Sequence, residues 1–217
     1  MTGNTSEQPL SGPSATGRAA LGGYLLVVIV AAGLVGGSWW LTRDQIANNA
    51  TRQTRAMLAA VLPASLYDNH PDQDVVLLST GDGQPLPVYL ARLGGIPTAA
   101  ALTVIASNGF GGPIKLLVGI DAAGTVLGVS ILEQHETPGI GDAIEPDKST
   151  WIATFTGRSL ADSPAGRWGL KSDGGNFDAI AGATVSSRAV VSGVRQAVEY
   201  FAIHKSQILA SHESDQH

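Results

Sequence analysis

Thr184 sits in the stretch IAGATVSSRAVVSGV, residues 180–194, where a Gly/Ala run gives way to an apolar helical repeat. Two chemistries suit a hydroxyl at such a junction. Thr184, Ser186 or Ser187 can cap the helix that follows by accepting a hydrogen bond from one of its first amides. Alternatively, the N–H donors and the positive dipole end of the helix favour a phosphate, which the Thr184 hydroxyl can hydrogen-bond or be esterified by. Local sequence leaves both open. Asp178, six residues before Thr184, is either an ordinary loop carboxylate or a group that holds a divalent cation or orients a reacting hydroxyl.

Two further loops carry polar groups. EQHETPGIGDAIE, residues 133–145, contains His135, four carboxylates and a turn-forming Pro138–Gly139 pair. It is suited to laying its backbone and the Ile140 side chain against a flat ring. Neither zinc-like spacing nor a second nearby His supports a metal site there. NGFGGPIK, residues 108–115, is glycine-rich but precedes a strand rather than a helix, so it is no dinucleotide fingerprint. The chain contains no Cys, which excludes disulfides, iron–sulfur ligation and thiol nucleophiles. A net charge of −5 and the absence of a Lys/Arg run argue against a nucleic-acid partner.

The elements that must position these residues follow from patterning. Strand signals lie at 75–79, 86–93 and 101–107, the first two separated by TGDGQP. PIKLLVGI and VLGVSILEQ form a hairpin across DAAG at residues 121–124. DKSTWIATFTG predicts a short helix with Ser149 as its cap. Val190, Val194, Ala197 and Phe201 repeat at helical spacing, predicting a long final helix that ends near His204. Ile46, Ala50, Met57, Val61 and Leu62 predict an earlier helix, stopped by Pro63. The sum is an α+β fold.

The uncharged run from Leu21 to Leu41 has the roughly 20-residue length that spans bilayer hydrocarbon. Tyr24 at one end and Trp39–Trp40 at the other suit the two interfaces. The run is too long for the apolar core of a cleaved signal peptide. The expected layout is therefore a flexible tail (1–18), a transmembrane helix in membrane lipid (19–42), a juxtamembrane helix and first part of the soluble domain (43–100), a cofactor-binding domain (101–205) and a polar tail (206–217). Arg43, Arg52 and Arg55 outnumber Arg18, which by the positive-inside rule alone places the bulk of the chain in the cytoplasm.

Taken in order, GFGGPIKLLVGID, GVSILEQHETPGIGDAIE, WGLKSDGGNFDAIAGATVSS and the helix after them resemble the FMN-binding domain of the RnfG family, the G-type subunits of the Rnf electron-transport complex. The related C-type subunit of the sodium-pumping NADH:quinone reductase is the second reading; a flavin-free membrane module of the same fold is the third. The resemblance covers roughly residues 105–203. It implies FMN held through a phosphoester on a threonine, installed by a flavin transferase that uses FAD, within a pattern of Asp, two variable residues, Ser or Thr, Gly, Ala, Thr. Here Asp178, Gly182, Ala183 and Thr184 match, with Thr184 at the flavinylated position. The sequence departs at Ala181, where a hydroxyl residue is usual. The resemblance also implies that Glu136, Thr137, Ile140 and Gly141 line the flavin, with Lys171 and Ser187 near its ring or phosphate. It implies a single-pass protein of the bacterial inner membrane with an extracytoplasmic flavin domain, opposite to the arginine bias, working beside other membrane subunits of an ion-translocating electron-transport complex.

Overall fold

The structure, a computed structural model, describes residues 28, 30–34, 51–79, 83, 85–161 and 167–210. The chain divides into two compact units, Met1–Ala50 and Thr51–His217. In the first, residues 28 and 30–34 are helical; the rest of the expected tail and transmembrane helix lies outside the described residues. Among the described residues, no helix is long and apolar enough to cross a membrane.

The second unit is built on a five-stranded antiparallel meander: β1 (Val75–Ser79), β2 (Pro85–Leu93), β3 (Ile96–Ala106), β4 (Ile114–Asp121) and β5 (Val126–Glu133), each strand paired with the next. The expected β4–β5 hairpin is present. Its turn is fixed by Asp121, whose Oδ1 accepts the amides of Ala123 (2.9 Å) and Thr125 (2.8 Å). β3 begins at Ile96 rather than Ala101, so the sheet runs across the expected 100/101 boundary. Its early residues are mostly Ala, too small to give the alternating signal that marks a strand, yet Ala99, Ala100 and Ala101 are all fully buried.

They are buried because the sheet has a helix on each side. Helix α1, residues 51–61, sets Leu58, Val61 and, just beyond it, Leu62 against Ala91, Ala99, Ala101 and Leu117. The fit depends on the cross-strand pair Gly119–Gly128. A Cβ on Gly119 would stand 2.1 Å from the Val61 carbonyl oxygen, and one on Gly128 would stand 3.1 Å from the Val61 Cα. Helix α2 (Thr184–Ala210) covers the other face. Its Val190, Val194, Ala197, Val198 and Phe201 pack into the core with Leu90, Leu102, Leu116 and Val118. Full burial of a side chain the size of Phe201 contributes about 1.5–3 kcal/mol. The helix passes the expected end near His204 because Ile208 is fully buried and Leu209 packs against the same core. The start of the expected polar tail at 206 is thus helical, and residues 211–217 lie outside the described ones.

Between β5 and α2 the chain makes a long excursion whose described residues include the short 3-10 turns Gly141–Ile144, Trp151–Phe155 and Lys171–Asp173. The expected short helix is the second of these. Ser149 accepts the Trp151 amide (3.2 Å) and donates to the Ala143 carbonyl (2.6 Å). Phe155, Trp168 and Phe177 form one aromatic cluster, with centroids 4.8 to 6.4 Å apart. The excursion is clipped back to β5 by backbone bonds between Val126 and both Gly157 and Arg158.

Replacing Gly119 by Ala must displace α1 from the sheet. Overpacking of this kind costs about 1–3 kcal/mol, so urea denaturation of G119A is expected to show a midpoint lowered accordingly, with the m-value unchanged.

Candidate functional site

The loop into α2 is shaped by a tight turn. Ala183 N–H donates to the Ile180 carbonyl (3.0 Å). Gly182, at the third position, has φ +80°, the left-handed value that such a turn demands and that a side chain resists. The first helical bond runs from Ser187 N–H to the Ala183 carbonyl (2.9 Å), so Ala183 occupies the cap position. Ala has no side-chain oxygen and is a poor cap by about 1 kcal/mol against Ser or Thr.

None of the three hydroxyls proposed as caps serves as one. Ser187, fully buried, accepts the Ile180 amide (3.0 Å) and so ties the turn to the helix. Ser186, also buried, donates to Glu136 Oε2 (2.6 Å). Thr184 is the first helical residue and is exposed. The amides of Thr184, Val185 and Ser186 precede the helical ladder and have no acceptor among the described residues.

This helix start opens into a cleft of about 330 Å³. Its opposite wall is the loop after β5, where the Thr137 carbonyl accepts the amides of Ile140 (3.2 Å) and Gly141 (2.9 Å). Phe110, Ile140 and Val185 line the cleft and are 71%, 49% and 43% exposed, an unusual exposure for large apolar side chains gathered at one mouth. Glu136 lines it as well, yet is only 5% exposed.

Of the residues singled out from the sequence, Glu136, Thr137, Ile140, Gly141, Gly182, Ala183 and Thr184 come together in this cleft. Lys171, Asp178 and Ser187 do not line it. Lys171 Nζ and Asp178 Oδ2 form an exposed ion pair with each other (2.7 Å), and the Asp178 carbonyl accepts the Trp151 indole N–H (2.7 Å). They brace the loop that delivers the turn. Sequence reasoning missed Phe110 and Val185 as cleft residues. Phe110 carried a signal, a bulky apolar residue among flexible glycines; Val185 carried none distinct from the core pattern of its helix.

A second brace lies on the outer side of α2. Arg188 donates from Nε to Asp173 Oδ2 (2.7 Å) and from its terminal nitrogen to Oδ1 (3.0 Å). The hydrogen bonds from Arg188 hold the Asp173 carboxyl below its usual range and push the guanidinium up. A folded-state value below the unfolded one contributes stability above the ordinary carboxylate pKa and loses it as pH falls through the lowered value. Both groups are largely exposed, so the contribution is small. Among the described residues, no cluster of three His, Asp or Glu side chains could hold a metal ion.

The model of the FMN-binding domain family matches residues 109–199, which contain every residue lining this cleft. Over nearly their whole lengths, curated proteins named as the G-type subunit of an ion-translocating oxidoreductase complex align with the chain. The one from Pseudomonas aeruginosa is 42% identical over 212 residues, 94% of this chain and 99% of its own. That from Vibrio atlanticus is 39% identical over 193 residues, 87% and 92%. That from Cereibacter sphaeroides is 38% identical over 214 residues, 97% of each. The chain belongs to the RnfG family. This is the first of the readings that the sequence offered, ahead of the C-type subunit of the quinone reductase and the flavin-free module. In this RnfG-family chain, the matched domain takes in the loops that form the site and most of α2.

The Ser187 bond makes a separable prediction. Ser187→Ala leaves the partly buried Ile180 amide without its acceptor, a loss of about 1 kcal/mol. Hydrogen exchange at residues 180–184 is expected to speed up more than exchange in the sheet.

Proposed function

We propose that this RnfG-family chain is a membrane-anchored flavoprotein that relays electrons within an ion-translocating oxidoreductase complex, with FMN joined to Thr184 through a phosphoester. The observation that carries the reading is the open start of α2. An exposed hydroxyl and three unpaired amides stand at one end of a cleft with apolar walls.

The residues fit the group. The amides of Thr184, Val185 and Ser186, at the positive end of a 27-residue helix, suit a phosphate. Phe110, Ile140 and Val185 offer the apolar surface a flat ring system needs. The cleft volume falls in the roughly 300–1,000 Å³ range of small-molecule sites. FMN supplies the redox chemistry when bound, and the protein's part is to hold, orient and tune it.

Each side chain then has a task. Thr184 Oγ1 provides the attachment point, while the Gly182 turn keeps the approach to it uncrowded. Ser187 fixes that turn to the helix, and the Lys171–Asp178 pair with the Trp151 indole holds the strand of loop leading to it. Asp178 is exposed and turned outward, where a maturing flavin transferase can reach it from solvent. Covalent attachment keeps the cofactor in a compartment that cannot replace it, which accords with an extracytoplasmic domain on a single anchor over residues 19–42 of the inner membrane.

Co-expression with a flavin transferase, followed by denaturing electrophoresis, tests the reading. Wild-type protein is expected to give a fluorescent flavin band and Thr184→Ala none. Equal labelling of T184A would contradict the assignment. Ala181 lies exposed in the turn, so Ala181→Ser is expected to change stability by no more than about 0.5 kcal/mol. By restoring the usual hydroxyl, it is expected to raise the rate of labelling.

A further inference from the structure

Glu136 carries a buried carboxylate in the wall of the cleft; the Asp72 carboxylate is also buried but is paired with Arg55. The surroundings of Glu136 are built around it. Ser186 O–H donates to Oε2 (2.6 Å) and Gly111 N–H to Oε1 (3.2 Å). Its own amide donates to the Gln134 side chain (2.5 Å), which in turn donates to Glu145 (2.9 Å). A Cβ on Gly109 would stand 2.6 Å from Oε1, and one on Gly141 would stand 2.8 Å from the Glu136 Cβ. Two loops therefore stay bare where they pass this side chain. No ion pair among the described residues includes Glu136. The carboxylate accepts on both oxygens and has no cation to balance it.

Resting on the flavin reading above, we infer that Glu136 sets the redox potential of the cofactor in this cleft, acting as a fixed negative charge that opposes reduction. Reduction of a flavin brings electrons into the cleft, and negative charge accumulates there until protons follow from solvent. A charge held in a partly desolvated wall acts on that accumulation far more strongly than one in water. The carboxylate therefore favours the oxidised cofactor and lowers its midpoint potential. The same side chain positions the site, because its bond to Ser186 fixes the first turn of α2, on which Thr184 stands.

Charge and position can be separated. In Glu136→Gln the amide oxygen accepts from Gly111 and the amide nitrogen donates to Ser186, whose hydroxyl rotates to accept. Both bonds persist and only the charge is lost. Ser186→Ala does the reverse, removing a bond and keeping the charge. Full-length flavinylated wild-type, E136Q and S186A proteins are compared by spectroelectrochemical titration. At the potential where wild type is half reduced, E136Q is expected to favour the reduced form about tenfold, an upward shift of about 30 mV for a two-electron couple. S186A is expected to show no upward shift. An unchanged or lowered potential in E136Q overturns the inference, as does an equal rise in S186A.

If E136Q accepts no covalent flavin, the comparison moves to T184A and T184A/E136Q with added FMN. The ratio of affinities for reduced over oxidised FMN is expected to rise about tenfold when Glu136 is replaced; an unchanged ratio overturns the role of Glu136 alone. Failure of FMN to bind either protein in either state, together with unlabelled wild type, overturns the flavin reading and this inference with it.

Discussion

The bond from Ser186 Oγ to the buried Glu136 carboxylate, 2.6 Å long, joins parts of the chain 50 residues apart. On one side is the loop that leaves β5; on the other is the first turn of α2. The cleft is the space between them, so its width depends on this contact. Everything else in the fold fixes the two ends of the bond. The meander holds β5, the core holds α2 flat across the sheet, and the aromatic cluster with its backbone clips keeps the long connection between them folded.

The start of α2 shows how a small displacement in sequence alters what a residue can do. Thr and Ser are the residues that ordinarily close a helix N-terminus. Here the turn through Gly182 puts Ala183 in the cap position and moves Thr184 one place into the helix. The helix end stays open, and the hydroxyl that would have closed it faces solvent beside the unpaired amides. Ser186 and Ser187 are spent on the loops instead. The local cost of a missing cap, about 1 kcal/mol, is small beside the burial of the apolar face of α2. A long, well-packed helix can thus keep an open first turn.

Much of this was legible in the sequence because periodicity reports burial. Val190, Val194, Ala197 and Phe201 announced α2, and alternation with a turn-forming DAAG announced the β4–β5 hairpin. The ordered motifs marked the loops that meet in the cleft. What stayed hidden depends on contacts distant in sequence. The front of β3 is written in Ala, and its burial comes from α1 over Ala99 and Ala101 and from the main core over Ala100. The far end of α2 is helical because Ile208 reaches the core, beyond the regular repeat. Ser187 lies close to Thr184 in sequence, yet it faces inward to Ile180. Asp178 and Lys171 turn toward each other rather than into the cleft. Charge type alone could not tell a brace from a ligand.

The central claim is chemical, that Thr184 carries the flavin, and mass spectrometry of the protein taken from its native membrane addresses it most directly. Trypsin releases residues 172–188 as one peptide, bounded by Lys171 and Arg188. This peptide is expected to gain the mass of one FMN less one water, with fragment ions placing the addition on Thr184. An unmodified peptide, or an addition placed on Ser172, Ser186 or Ser187, would contradict it.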